Sequence, residues 1–221
     1  MRIGPLLRAC MPASLERAAA NAYRAIFVDL DRVAAKLAEA LPADASVLDI
    51  GGGDGELLNR LFALRPDLRV TMVDVAGSVG RFLRPQFHAR VALVPSTTIQ
   101  DHLLSLPGKY DAAIVVDVMH HVAPEQREDF LRAVSDALRP GAPLLIKDVE
   151  PGHYRATLGF LADKYISGDR GVMLIGSAQV AEMARRLLPD SAPAELGLLT
   201  IDRPNYLVRV CVPQGDTPCS R

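Results

Sequence analysis

The sequence predicts one α/β domain whose mostly parallel sheet carries helices on both faces. Two observations predict it. Short, nearly unbroken apolar segments alternate with helical ones from Ser46 to Ile146, and strands this apolar are buried on both faces, as in a parallel sheet. A glycine-rich turn follows the first strand and leads into a helix, while an acid closes the second strand. That is the layout of a nucleotide-binding strand–turn–helix unit.

The elements follow in order. Leu15, Ala18, Ala22, Ala25, Ile26, Leu30, Val33, Leu37 and Leu41 recur at helical spacing. They predict one or two amphipathic helices, with Ser14 as N-cap and Pro42 ending the run. Val47–Ile50 reads as strand, Glu56–Leu64 as helix and Arg69–Val73 as the second strand, closed by Asp74. Gly77–Leu83 is expected to be a short helix and Val91–Val94 the third strand. Asp111–Val116 reads as the fourth strand, Pro124–Leu138 as a helix, and Pro143–Ile146 as the fifth strand after the Pro140-Gly141 turn. Tyr154–Ile166 and Ser177–Leu188 are expected helices. Glu195–Ile201 and Tyr206–Val212 are expected to pair antiparallel around Asp202-Arg203-Pro204-Asn205. Residues 1–45 are expected to form a helical lid on the same domain, 46–212 the ligand-binding domain, and 213–221 a flexible tail.

Composition excludes several classes. The chain has 25 Lys and Arg against 26 Asp and Glu, a formal net charge of -1, with no polybasic face for phosphate binding. Arg185-Arg186 reads as a solvated helix face. Cys10, Cys211 and Cys219 have neither metal nor disulfide spacing, and no segment reaches the ~20 apolar residues of a membrane span. A cytoplasmic protein without nucleic-acid or membrane partners is expected.

The most informative stretch is Asp49-Ile50-Gly51-Gly52-Gly53-Asp54-Gly55-Glu56. Glycines here let the chain turn sharply and let a ligand lie against main chain. Asp74 lies 19 residues beyond Gly55, where a ribose-binding acid belongs. A dinucleotide fingerprint wants a third glycine at position 56, and Glu56 there would repel a pyrophosphate. An acidic loop suits a ligand with a ribose, a positive charge and no phosphate. S-adenosylmethionine (SAM) has all three properties.

Val47-Leu48-Asp49-Ile50-Gly51-Gly52-Gly53-Asp54-Gly55 resembles the first motif of class I SAM-dependent methyltransferases, and the resemblance covers residues 46 to about 149. It implies a Rossmann-like, seven-stranded sheet with an antiparallel last strand. By that resemblance Asp49, Gly51 and Gly53 lie at the amino-acid part of SAM. Asp74 holds the ribose, Val75 lies beside the adenine, and Thr98 and Ile99 contact its edge. Asp117 and Val118, at the end of strand four, meet the methionine end.

Methyl transfer is an in-line displacement, so positioning supplies much of the rate and a base is needed only for a protonated acceptor. His120 and His121 stand at the carboxyl end of strand four and are the candidate bases. Equally, they would serve to close the loop and cap the next helix. A metal held by Asp117, His120 and His121 is not expected. Metal-dependent relatives show an Asp-Asn pair after strand five, where this chain has Lys147-Asp148-Val149-Glu150. Tyr23 and Arg24 are assigned to the lid. Tyr154, Tyr165, Asp169 and Arg170 lie in the segment after strand five that selects the acceptor in the family. Tyr23 and Tyr165 are the aromatic candidates to face the sulfonium, or else ordinary surface or core tyrosines. The expected activity is methyl transfer to a small-molecule acceptor, with a homodimer left open. The alternative is intramolecular cleavage of SAM, in which its amine attacks its own γ-carbon and methylthioadenosine leaves.

Overall fold

Val and Ile dominate the strand segments, and their branched side chains pack well on a pleated surface. The structure, a computed structural model, describes residues 13–105, 110–153, 156, 171–200 and 202–213. Among these, helices α1 (Ala13–Phe27) and α2 (Leu30–Ala40) precede β1 (Ser46–Ile50), α3 (Glu56–Leu64), β2 (Arg69–Val73) and β3 (Val91–Val94). Next come α4 (Ile99–Ser105), β4 (Ala112–Val116), α5 (Arg127–Asp136) and β5 (Pro143–Val149). Helix α6 (Ser177–Leu187), β6 (Ala194–Glu195) and β7 (Asn205–Cys211) complete the domain. The seven strands form one sheet in the order β3-β2-β1-β4-β5-β7-β6. The first five are parallel, β7 runs antiparallel to β5, and β6 runs antiparallel to β7. The expected Rossmann-like sheet with an antiparallel last strand is therefore the one observed.

Alternate strand residues feed two cores. On one face Leu48, Ile50, Val115 and Val208 pack with Phe130 and Val134 of α5 and Val180 of α6. On the other, Val47, Val70, Ile114 and Leu207 pack with Val33 and Leu37 of α2 and Leu58, Leu61 and Phe62 of α3. Each fully buried aliphatic side chain contributes about 1.5–3 kcal/mol, so both faces stabilise the sheet edge that carries the site.

Several expectations need correction. Gly77–Leu83 is not a helix but a run of bends and turns. Gly80 has φ +65°, and the segment straps the glycine loop through Gly80 N–H to Gly53 O (2.8 Å) and Phe82 N–H to Asp54 O (2.7 Å). Helix α4 was not anticipated. Thr98 caps it, its Oγ1 accepting from Asp101 N–H at 3.1 Å. The expected helix from Pro124 begins as a 3-10 turn over Pro124–Gln126 before α5. Strand β6 is only Ala194–Glu195, because Gly197 at φ +63° turns the chain out of the extended conformation. Ser14 lies inside α1 rather than before it. Strand β5 outruns its apolar stretch and continues to Val149, since β7 pairs Asp148 with Tyr206 and Val149 with Asn205. The expected helix Tyr154–Ile166 lies outside the described residues, apart from Ala156. No described helix is long and apolar enough to cross a membrane.

Candidate functional site

The site is built where β1, β2, β4 and β5 end, the edge at which open α/β sheets bind ligands. At the end of β1 the chain reverses through Gly51, at φ +71°, where a Cβ would lie 2.4 Å from Val118 Cγ2. A Cβ on Gly52 would lie 2.3 Å from Asp49 Oδ2. Only glycine allows the loop to lie this close to the strand ends. Asp74 secures the loop from the next strand, its carboxylate accepting from Gly53 N–H (3.0 Å) and Ala76 N–H (2.8 Å).

Three adjoining cavities surround this loop. A cleft of about 640 Å³ is lined by Gly51, Asp74, Val75, Thr98, Ile99 and Val118 among others. A second cavity, about 240 Å³, lies over Asp49, Gly51, Gly53, Asp54 and Asp117. A third, about 200 Å³, has apolar walls from Phe27, Val28, Val149 and Leu174 and a polar floor of Asp117, His120 and Lys147. Gly51 is shared by the first and second, Asp117 and Arg24 by the second and third, and His121 by the first and third. Every candidate among the described residues thus borders one of these three neighbouring cavities. Tyr23 lines the third cavity. Tyr165, with Tyr154, Asp169 and Arg170, lies outside the described residues.

The floor is electrically organised. Asp49 is 2% exposed, and burial, reinforced by the charge of Asp74, pushes its carboxyl up to about 7. Asp117 takes a left-handed backbone at φ +57°, uncommon for a non-glycine residue and a mark of constrained positions. Its N–H donates to Lys147 O at 2.9 Å, and its carboxylate receives the buried Lys147 ammonium at 2.5 Å. His120 Nδ1 donates to Asp148 Oδ1 at 2.6 Å, and the His120 N–H donates to Asp148 Oδ2 at 3.1 Å. Asp148 is fully buried. Arg127 holds the histidine turn by donating to Val122 O at 3.0 Å and Met173 O at 2.5 Å. The His121 ring sits against that of His120, with centroids 4.1 Å apart.

Asp117, His120 and Asp148 offer ligand atoms within 4.8 Å of one another. In this structure the cation beside them is Lys147, and both Asp148 oxygens already accept from His120.

Helix α1 borders the second and third cavities and is tied to the glycine loop by charge. Arg24 pairs with Asp54, Arg17 with Glu56 at 2.7 Å, and Arg81 donates to Glu16 at 2.7 Å. Asn205 closes the underside by donating to Phe27 O at 2.9 Å. Glu56 is paired with Arg17 and Arg60. Burial alone would raise its carboxyl, but hydrogen bonds from Arg60 and Asn59, with the charge of Arg17, hold it below the usual range. Sequence reasoning missed Lys147 and Asp148 as site residues, reading them only as a departure from a metal-binding pair. Two charges directly following the apolar run Pro143–Ile146 were the available signal.

A seven-stranded sheet with this order, a glycine loop after β1 and an acid closing β2 are the layout of a class I SAM-dependent methyltransferase domain. Residues 48–144 match the family described as Methyltransferase domain. The chain carries such a domain, with SAM as its cofactor. It is 31% identical over 169 residues to aclacinomycin 10-hydroxylase RdmB of Streptomyces purpurascens, covering 68% of this chain and 45% of that protein. Among solved structures, TnmH superposes with a TM-score of 0.63 at 26% identity, over 88% of this chain and 56% of its own. The O-methyltransferase NcsB1 from neocarzinostatin biosynthesis, bound to SAM and 2-hydroxy-5-methyl naphthoic acid, gives 0.59 at 22% identity, over 81% and 52%. The chain thus spans about half the length of these three proteins.

Proposed function

We propose that the protein transfers the methyl group of SAM to a small-molecule acceptor bound in the cavity floored by Asp117, His120 and Lys147. The observation that carries this reading is the junction at Asp117. That residue borders both the cavity over the glycine loop and the separate, apolar-walled cavity beside it. Intramolecular cleavage of SAM needs no acceptor chamber, and nothing among the described residues of the site calls for it.

The residues fit the cofactor. Asp74 suits the ribose hydroxyls, and Val75, Thr98 and Ile99 the adenine. Asp49 and Asp117 suit the cationic amino-acid end, and the Gly51–Gly53 backbone admits it closely. When bound, SAM supplies an electrophilic methyl group and a neutral thioether leaving group. The chain supplies position, dryness and a base. Asp148 accepts the His120 Nδ1 proton, which leaves the basic lone pair on Nε2 to take a proton from the acceptor. His121 and Tyr23 border the same cavity and complete its walls. In NcsB1 a hydroxylated aromatic acid shares the protein with SAM, which supports an acceptor of that size.

One relative sharing the domain is named a hydroxylase, so the reaction needs a direct test. The purified protein is incubated with SAM alone and the products followed by mass spectrometry. SAM is expected to survive, with S-adenosylhomocysteine appearing only when an acceptor is added. Methylthioadenosine formed at catalytic turnover from SAM alone would overturn the reading.

A further inference from the structure

Lys147 is the least expected group in the molecule. It sits in the middle of the sheet, on β5, paired with Val116 on one side and Leu207 on the other. It is 1% exposed. A buried ammonium is costly unless its charge and its donors are met. It has three N–H donors, and among the described residues its one hydrogen-bond partner is Asp117 Oδ1 at 2.5 Å. The remaining donors belong to a group that lines the apolar-walled cavity. The same Asp117 offers an oxygen within 4.8 Å of a His120 ring nitrogen. A proton acceptor and a cation therefore flank one spot on the cavity floor.

We propose that Lys147 is the oxyanion-holding residue of the acceptor cavity, selecting an acceptor whose reacting oxygen is a phenolate or enolate, and that the cofactor's ammonium switches it on by engaging Asp117. This rests on the methyl-transfer reading above. Without cofactor the Lys147 charge is neutralised by Asp117. A second ammonium on the same carboxylate shares that neutralisation and leaves the Lys147 charge to a ligand. Binding of the two ligands is then mutually reinforcing. The other charged or titratable groups facing the cavity from the described elements are Tyr23 and Arg24 of α1, Asp117 after β4, and His120 and His121 of the following turn. Arg24 is paired with Asp54, and His120 is held by Asp148. Lys147 is thus the cation seated in the floor itself.

The test uses 4-nitrophenol, whose absorbance reports its ionisation, with the full-length protein across the neutral pH range. It is run alone, with saturating S-adenosylhomocysteine, and with 5′-methylthioadenosine. S-adenosylhomocysteine carries the ammonium but no sulfonium charge, and 5′-methylthioadenosine carries neither. With S-adenosylhomocysteine the bound probe is expected to titrate about one pH unit lower than in water, corresponding to about tenfold preference for the phenolate. With 5′-methylthioadenosine or no nucleotide the phenolate binds about tenfold more weakly. Lys147→Met, checked for an unchanged melting transition, loses both effects. Unshifted titration of the bound probe, equal effects of the two nucleotides, or an unaltered shift in Lys147→Met would each overturn the proposal. So would absence of probe uptake by protein shown calorimetrically to hold S-adenosylhomocysteine. Failure to bind S-adenosylhomocysteine at all would instead remove the methyl-transfer reading itself. The wild-type comparison of the two nucleotides decides the matter should Lys147→Met fail to fold.

Discussion

Asp148 holds His120 twice, accepting from its ring Nδ1 at 2.6 Å and from its backbone N–H at 3.1 Å. One carboxylate from β5 therefore fixes both where the histidine turn sits and which ring nitrogen keeps its proton. The register that brings Asp148 beside Tyr206 buries it completely.

Asp148→Asn presents an amide in place of an acceptor-only carboxylate, and no longer enforces the tautomer that leaves Nε2 basic. Turnover with an identified hydroxyl acceptor is expected to fall by about 10²-fold or more, as for loss of a positioned base. SAM affinity by calorimetry is expected to stay within about twofold, a change of less than about 0.5 kcal/mol. Turnover that survives the substitution would leave His120 as a loop-closing residue.

Cofactor binding is expected to depend on pH through Asp49. Its carboxyl is pushed up to about 7 by burial and by the Asp74 charge, so below that pH it is protonated and presents no charge to an ammonium. SAM affinity is expected to weaken by about tenfold per pH unit below 7, while Asp49→Asn binds weakly and with a flatter profile. Stability runs the other way. The folded protein retains a proton that the unfolded chain loses above its ordinary value, so the Asp49 contribution is full at low pH and declines as pH rises to about 7. Denaturant midpoints of wild type and Asp49→Asn, compared at about pH 5 and about pH 8, check the sign.

Gly51→Ala meets two obstacles, a φ of +71° and a Cβ placed 2.4 Å from Val118 Cγ2. Destabilisation of about 1–3 kcal/mol is expected, with loss of SAM binding greater than the change in melting temperature alone explains. Adding Val118→Ala relieves the contact but not the backbone strain. Partial recovery of the denaturant midpoint in the double variant would separate the two causes.

Arg24 borders two cavities and pairs with Asp54 of the glycine loop. Both side chains are about a quarter exposed, so Arg24→Ala should change stability by less than about 1 kcal/mol. Its effect belongs in the cofactor release rate, since the pair ties the covering helix to the loop beneath it. Stopped-flow displacement of bound S-adenosylhomocysteine is expected to run several-fold faster in the variant. An unchanged release rate would remove Arg24 from the lid.

Much of this architecture was legible in the residues. The runs at Val47–Ile50 and Ala112–Val116 are apolar enough to announce strands covered on both faces, and Asp49 to Gly55 carries its turn chemistry locally. Asp74, which secures the glycine loop through Gly53 N–H, was singled out by its spacing from that loop. Other features were hidden because their causes are nonlocal. The segment Gly77–Leu83 has helical spacing but is recruited by Gly53 and Asp54 across the loop. Strand β5 seemed to stop at Ile146, because Lys147 and Asp148 are residues that strands seldom bury.

What the sequence by itself determined is the sheet, its glycine turn and the acids that line the cavities around it, since these follow from periodicity and from residues near one another in the chain. Tertiary structure alone decided that Lys147 neutralises Asp117, 30 residues away, and that Asp148 holds His120, 28 residues away. Adjacent residues on a strand point to opposite faces. The neighbours Lys147 and Asp148 are thereby delivered to different partners, and only the parallel pairing of β4 with β5 brings those partners within reach.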